Sequence, residues 1–151
     1  MTDEVRALQD RFWAEAERLM WAHCAPWELD EALTEAGFEI GPCEAQDLVG
    51  LETVLGRRRA MGAPDTILDR MVAEGRVGKL GGWGYYRYPG GGGAVIDPLL
   101  EDLIDEEAHF HRAVRTNITD AEIVARMTAV LQGVPADVAR AAVGAPVIGA
   151  Q

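Results

Sequence analysis

The chain has 151 residues, 48% of them hydrophobic, and a formal net charge of −11, so it has apolar surface enough for one globular domain and the wrong sign of charge for nucleic-acid phosphates. Serine is absent, which excludes a serine nucleophile, and Cys24 and Cys43 are too few for a disulfide framework, which points to a reducing, cytoplasmic setting. The longest apolar runs fall far short of the ~20 residues a membrane helix needs, and no signal peptide is evident.

From Asp3 to His23 the residues Val5, Leu8, Phe12, Ala16, Leu19 and Met20 return at steps of three and four, the spacing of one helix face. Pro26 opens a second helix, because its missing N–H is not needed in a first turn; Trp27, Leu29, Ala32 and Leu33 face inward and Gly37 stops it. Gly41-Pro42 repeats this start. The third helix is expected to run to Met61-Gly62 with Leu48, Leu51, Val54 and Leu55 as its buried stripe. A fourth, from Pro64 to Glu74, buries Ile67, Leu68, Met71 and Val72, and Gly75 caps it.

Gly75 to Tyr88 is a knot of five glycines with Trp83, Tyr85, Tyr86 and Tyr88. Two readings fit it: a clamp packed onto the helices, or a loop that contacts a ligand. It lacks G-x-x-x-x-G-K-[ST] and G-x-G-x-x-G, so it is no phosphate cradle. Within it Gly84 is expected at positive φ or pressed against neighbouring backbone. Gly90 to Gly93 reads as a flexible tether, and Tyr85 to Tyr88 as a small extended piece.

Asp97-Pro98 has the form of an N-cap and a first-turn proline, opening a helix with Leu99, Leu100, Leu103, Ile104, Ala108 and Phe110. Glu101, Asp102, Asp105, Glu106 and Glu107 give it a solvated acidic face. Thr119 with Glu122 makes a capping box, followed by a stripe of Ile123, Val124, Met127, Val130 and Leu131 that ends at Gly133. Pro135 to Val143 adds a short helix, and Ala145 to Gln151 is expected to be a loose tail. The fold class is all-α, a bundle of about six helices with a glycine- and aromatic-rich loop.

Charge is unevenly placed. Residues 1–55 carry thirteen acids against Arg6, Arg11 and Arg18, while residues 56–90 carry seven bases against three acids. The island of Arg57, Arg58, Arg59 and Lys79 fits an anionic ligand or an acidic partner surface, or else solvated arginines paired with local acids. His109 and His111, two apart on a helix, point away from each other and form no shared metal site.

Gly37-Phe38-Glu39-Ile40-Gly41-Pro42-Cys43-Glu44-Ala45-Gln46-Asp47-Leu48-Val49-Gly50-Leu51, together with Met71-Val72 and the knot Gly75 to Tyr88, resembles the C-terminal domain of 3-hydroxyacyl-CoA dehydrogenases. Those enzymes carry G-F-x-x-G-P-x-x-x-x-D-L-x-G-L and then G-R-x-G-x-K-x-G-x-G-[FWY]-Y-x-Y. The similarity runs from about residue 5 to Leu131 and is closest to the multifunctional β-oxidation form. It implies an all-helical domain of the kind at the C-terminus of 6-phosphogluconate dehydrogenase, with residues 1–133 as the domain, a truncated second lobe beginning near residue 119, and residues 134–151 as a short helix and tail.

The same resemblance implies a substrate-side and dimerisation domain that closes over acyl-CoA. NAD and the catalytic His-Glu pair belong to a separate Rossmann-type domain, so no catalytic residue and no cofactor is assigned to this chain. The family's active-site asparagine falls on Arg6, and the lysine of G-x-K-x-G on Leu80, with Lys79 beside it. Arg6, Gly41, Pro42, Lys79 and Trp83 are the substrate-cleft candidates. The expected partners are a second copy or a Rossmann domain, with a non-enzymatic self-associating helical module, or an acyl-CoA carrier, as alternatives.

Overall fold

Eight α-helices account for the regular structure among residues 1–62 and 67–146, the part that the computed structural model describes. They are α1 (Asp3–Ala22), α2 (Pro26–Glu35), α3 (Pro42–Val49), α4 (Leu51–Ala60), α5 (Ile67–Ala73), α6 (Pro98–Phe110), α7 (Asp120–Ala129) and α8 (Ala136–Val143). Helix α1 is the axis, with Leu8, Phe12, Ala16, Leu19 and Met20 buried and contacts to α2, α3, α4, α6, α7 and α8. The start signals work locally as read. Thr2 accepts the Val5 N–H, Pro26 and Pro42 occupy first turns, Asp97 accepts the Leu99 N–H, and Thr119 and Glu122 form their capping box.

The helix expected over residues 42–61 is two. Gly50 stands at φ 106°, ψ 125°, a conformation that non-glycine residues rarely adopt, and the Leu51 N–H it frees donates to the Val77 carbonyl at 2.9 Å. A break of register follows. Leu48, expected in the buried stripe, is 50% exposed, whereas Leu51, Val54 and Leu55 are buried. This split, together with α8, turns about six helices into eight. Gly75, at φ 89°, does end α5; the Pro64 start expected for that helix lies outside the described residues.

The tetraglycine is a closed loop and not an open tether. Arg87 and Val95 exchange both backbone hydrogen bonds, at 2.9 and 2.8 Å, which ties the two ends of the run together. The bridges Gly78 to Trp83 and Trp83 to Arg87 are the other extended pairings among the described residues.

The α7 stripe finds its cover inside the chain. Ile123 and Met127 are buried, Val124, Val130 and Leu131 pack half-buried against the core, and the helix lies on α2 and α1. That stripe therefore gives no reason to expect a second copy on this face. Helix α8 buries Ala139, Ala142 and Val143 along α1, where Gln9 Nε2 donates to the Ala142 carbonyl at 2.8 Å. The tail begins packed, since Ala145 is buried; residues 147–151 are outside the described part.

Candidate functional site

Two buried carboxylates organise the knot. Asp47, in α3, accepts the Tyr85 N–H on Oδ1 at 2.8 Å and, on Oδ2, the Tyr86 N–H at 3.1 Å and the Tyr88 hydroxyl at 2.6 Å. Asp30, in α2, accepts the Cys43 N–H on Oδ1 at 2.9 Å and, on Oδ2, the Glu44 N–H at 3.0 Å and the Tyr86 hydroxyl at 2.8 Å. Cys43 and Glu44 are in the first turn of α3, so Asp30 supplies an N-cap from another helix, where Gly41 has no side chain to do so. Tyr86 joins the two carboxylates, through its N–H to one and its hydroxyl to the other. The partners of Asp47 lie 38 to 41 residues away.

The glycines fit this clamp. A Cβ on Gly84 would overlap the Asp47 carboxylate and stand 3.0 Å from the Gly78 Cα, and one on Gly78 would stand 2.6 Å from the Asp47 carbonyl oxygen. Gly84 is not at positive φ; the close-approach half of its expectation is what holds, and the closest neighbour is a carboxylate. A Cβ on Gly41 would overlap the Asp30 side chain. Arg76 completes the knot, donating to the Gly84 carbonyl at 3.1 Å and to Asp97 at 2.9 Å, with its guanidinium 4.2 Å from the centre of the Trp83 ring.

The chemistry of the clamp is that of a fastener. Burial pushes Asp30 up to about 6 against the pull of the Cys43, Tyr86 and Glu44 donors, and pushes Asp47 up to about 6 against Tyr88, Tyr85 and Tyr86. Both are ionised at neutral pH. Every donor around them is already engaged, so neither is placed to take a proton from a substrate. Burial also raises the Cys43 thiol, and it raises Cys24 to about 12, far from a reactive thiolate. Among the described residues no group of three or more His, Cys, Asp or Glu could hold a metal ion.

The five cleft candidates do not form one site. Lys79 and Trp83 sit half-buried in the knot, with the Lys79 ammonium 5.7 Å from the centre of the Tyr88 ring. Gly41 and Pro42 are buried, and Gly41 packs against Asp30, which accepts the Tyr86 hydroxyl of the knot. Pro42 also lines a pocket of about 220 Å³ with Phe12, Trp13 and Val143, at whose mouth Arg140 pairs with Glu39 at 2.9 Å. Arg6 is exposed on the first turns of α1, where its carbonyl accepts from the Arg57 guanidinium at 3.5 Å.

The arginines of the basic island are paired within the fold, two of them with acids far away in the sequence. Arg57 pairs with Asp10 at 2.6 Å and lies over Trp13, Arg58 forms a buried pair with Glu17, and Arg59 pairs with Asp69. Arg70 reaches Glu74, Glu106 and Glu107. Of the anion-binding candidates Arg57, Arg58, Arg59 and Lys79, Lys79 is the one without a carboxylate partner among the described residues.

Comparison with known proteins places these features in a family pattern. Residues 5–88 match the family described as 3-hydroxyacyl-CoA dehydrogenase, C-terminal domain. The chain is 30% identical over 132 residues to the peroxisomal bifunctional enzyme of Danio rerio, covering 74% of this chain and 18% of that protein. It is 32% identical over 97 residues to the peroxisomal fatty acid beta-oxidation multifunctional protein of Oryza sativa subsp. japonica, covering 60% and 13%. It thus spans less than a fifth of the length of these relatives. A crystal structure of the dehydrogenase part of multifunctional enzyme 1 from C. elegans shares the fold, at TM-score 0.67 and 21% identity, over 83% of this chain and 28% of that one.

Proposed function

From its membership of the 3-hydroxyacyl-CoA dehydrogenase C-terminal domain family, to which this chain belongs, we propose that it is the substrate-side domain of a fatty-acid β-oxidation dehydrogenase. It works beside a dinucleotide-binding domain and has no dehydrogenase activity by itself. The observation that carries this reading is the clamp, because the two family motifs meet in space there: Asp47 from the first holds Tyr85, Tyr86 and Tyr88 of the second. Acyl-CoA is the ligand proposed, with Lys79 and not the paired arginines as the cation for its phosphates. NAD enters only with the partner domain. The compartment proposed is cytoplasmic, on the two free cysteines; the relatives are peroxisomal by name, and cell fractionation distinguishes the two.

Titration calorimetry tests the reading. A 3-hydroxyacyl-CoA is expected to bind the chain alone and NAD is not, and hydride transfer is expected only when a dinucleotide-binding domain is added. NAD binding at micromolar strength by the chain alone would contradict it. One observation favours the second reading, a non-enzymatic self-associating module: exposed Arg6 stands where the family's active-site asparagine is expected. Failure of acyl-CoA to bind at all would select that reading.

A further inference from the structure

The outer face of the knot sets an aromatic ring beside an unpaired cation. Trp83 and Arg87 form an antiparallel bridge. Gly84 N–H donates to the Tyr86 carbonyl at 2.7 Å and Tyr88 N–H to the Gly82 carbonyl at 2.9 Å, the bonds that flank a narrow pair, whose two side chains stand next to each other on one face. Tyr86 and Tyr88 send their hydroxyls inward to Asp30 and Asp47, so Arg87 between them projects to the opposite face, and Trp83 with it. Arg87 is exposed and Trp83 half-buried. The Arg76 guanidinium supports the indole from one side, 4.2 Å from its centre.

Charge singles out the same place. Of the seven bases in residues 56–90, Arg57, Arg58, Arg59, Arg70 and Arg76 each meet a carboxylate, whereas Lys79 and Arg87 meet none among the described residues. Residues 75–96 contain no Asp or Glu, in a chain of net charge −11. We infer that Trp83 and Arg87 form the seat for the nucleotide end of coenzyme A, the indole stacking on the adenine and the guanidinium holding the 3′-phosphate. The inference rests on the functional reading above and names the part of acyl-CoA that this face takes. A base stacks on an aromatic ring whatever its sequence of polar groups, and a planar guanidinium meets a phosphate monoester with two parallel hydrogen bonds. NAD has a diphosphate bridge and no phosphate monoester, so the same seat discriminates against it.

Titration calorimetry on the intact chain, in ~0.15 M salt, compares a 3-hydroxyacyl-CoA with its 3′-dephospho analogue. The wild type is expected to bind the acyl-CoA about tenfold more tightly than the analogue. Arg87→Gln, on exposed surface, is expected to keep the wild-type melting temperature and to bind the two alike. Arg112→Gln removes an exposed arginine that also has no carboxylate partner among the described residues, and is expected to leave the tenfold difference intact. Adenosine 3′,5′-bisphosphate is expected to move the Trp83 indole signal in NMR spectra and not that of Trp21. Equal wild-type binding of acyl-CoA and its dephospho analogue, a difference that survives Arg87→Gln or vanishes with Arg112→Gln, or a Trp83 signal that stays in place would each overturn the seat and leave the functional reading standing. Acyl-CoA that does not bind at all would overturn both.

Discussion

The chain has two glycine runs, and they are glycine for opposite reasons. In the knot, Gly78 and Gly84 are pressed against Asp47 so closely that a Cβ at either would collide with backbone or carboxylate. In the tetraglycine, Gly90, Gly91 and Gly93 have nothing within 4 Å of a built Cβ; only Gly90 and Gly91 need their positive φ. The first run is a packed joint and the second a slack loop closed at its ends. Density of glycine does not separate the two; the presence of a buried acceptor does.

The largest effect is expected from taking that acceptor away. Asp47→Asn keeps the shape but turns an amide N–H₂ toward donors, leaving groups of Tyr85, Tyr86 or Tyr88 unsatisfied in the core. At 1–3 kcal/mol for each such group, a loss of about 3–5 kcal/mol is expected in urea unfolding. Gly84→Val comes next, at about 2–4 kcal/mol, because its side chain must displace Asp47 or the knot.

The pH dependence sharpens the comparison from the carboxylate side. Asp30 and Asp47 titrate near 6 in the fold and near ~3.9 unfolded, so the native state holds their protons more tightly. Their contribution is fully present below about pH 4 and is lost as pH rises through about 6, by roughly 2–3 kcal/mol each. The wild type is therefore expected to gain stability relative to Asp30→Asn as pH falls from 7 to 5, read as a widening gap in melting temperature. The smallest effect is expected in the slack run: Gly93→Ala should change stability by no more than about 0.5 kcal/mol, and a loss comparable to that of Gly84→Val would erase the distinction between the runs.

What was legible in the sequence was local. Gly41-Pro42, Asp97-Pro98 and Thr119 with Glu122 announce helix starts because their partners lie within a few residues. The break at Gly50 was not legible, since D-L-V-G-L continues a helical apolar pattern and only the Val77 carbonyl, 26 residues on, gives the freed N–H of Leu51 its partner. The roles of Asp30 and Asp47 were hidden for the same reason, their partners lying 13 to 56 residues away. One signal was available: both are acids near apolar positions with no base within a helical turn, which marks a carboxylate that is buried or binding. The arginine island left an anion site and pairing with local acids both open, because charge runs show sign but not pairing; Arg58 finds Glu17 41 residues back and Arg70 finds Glu107 37 residues ahead.

Hydrogen exchange at the Tyr85 and Tyr86 amides tests the central claim most directly. If Asp47 fastens the knot, both amides open only when the domain unfolds, and they are expected to exchange as slowly as the core of α1 and far more slowly than Gly93 in the slack loop. Exchange of Tyr85 and Tyr86 at the rate of Gly93 would show that the knot lifts off on its own and that the clamp does not hold the domain together.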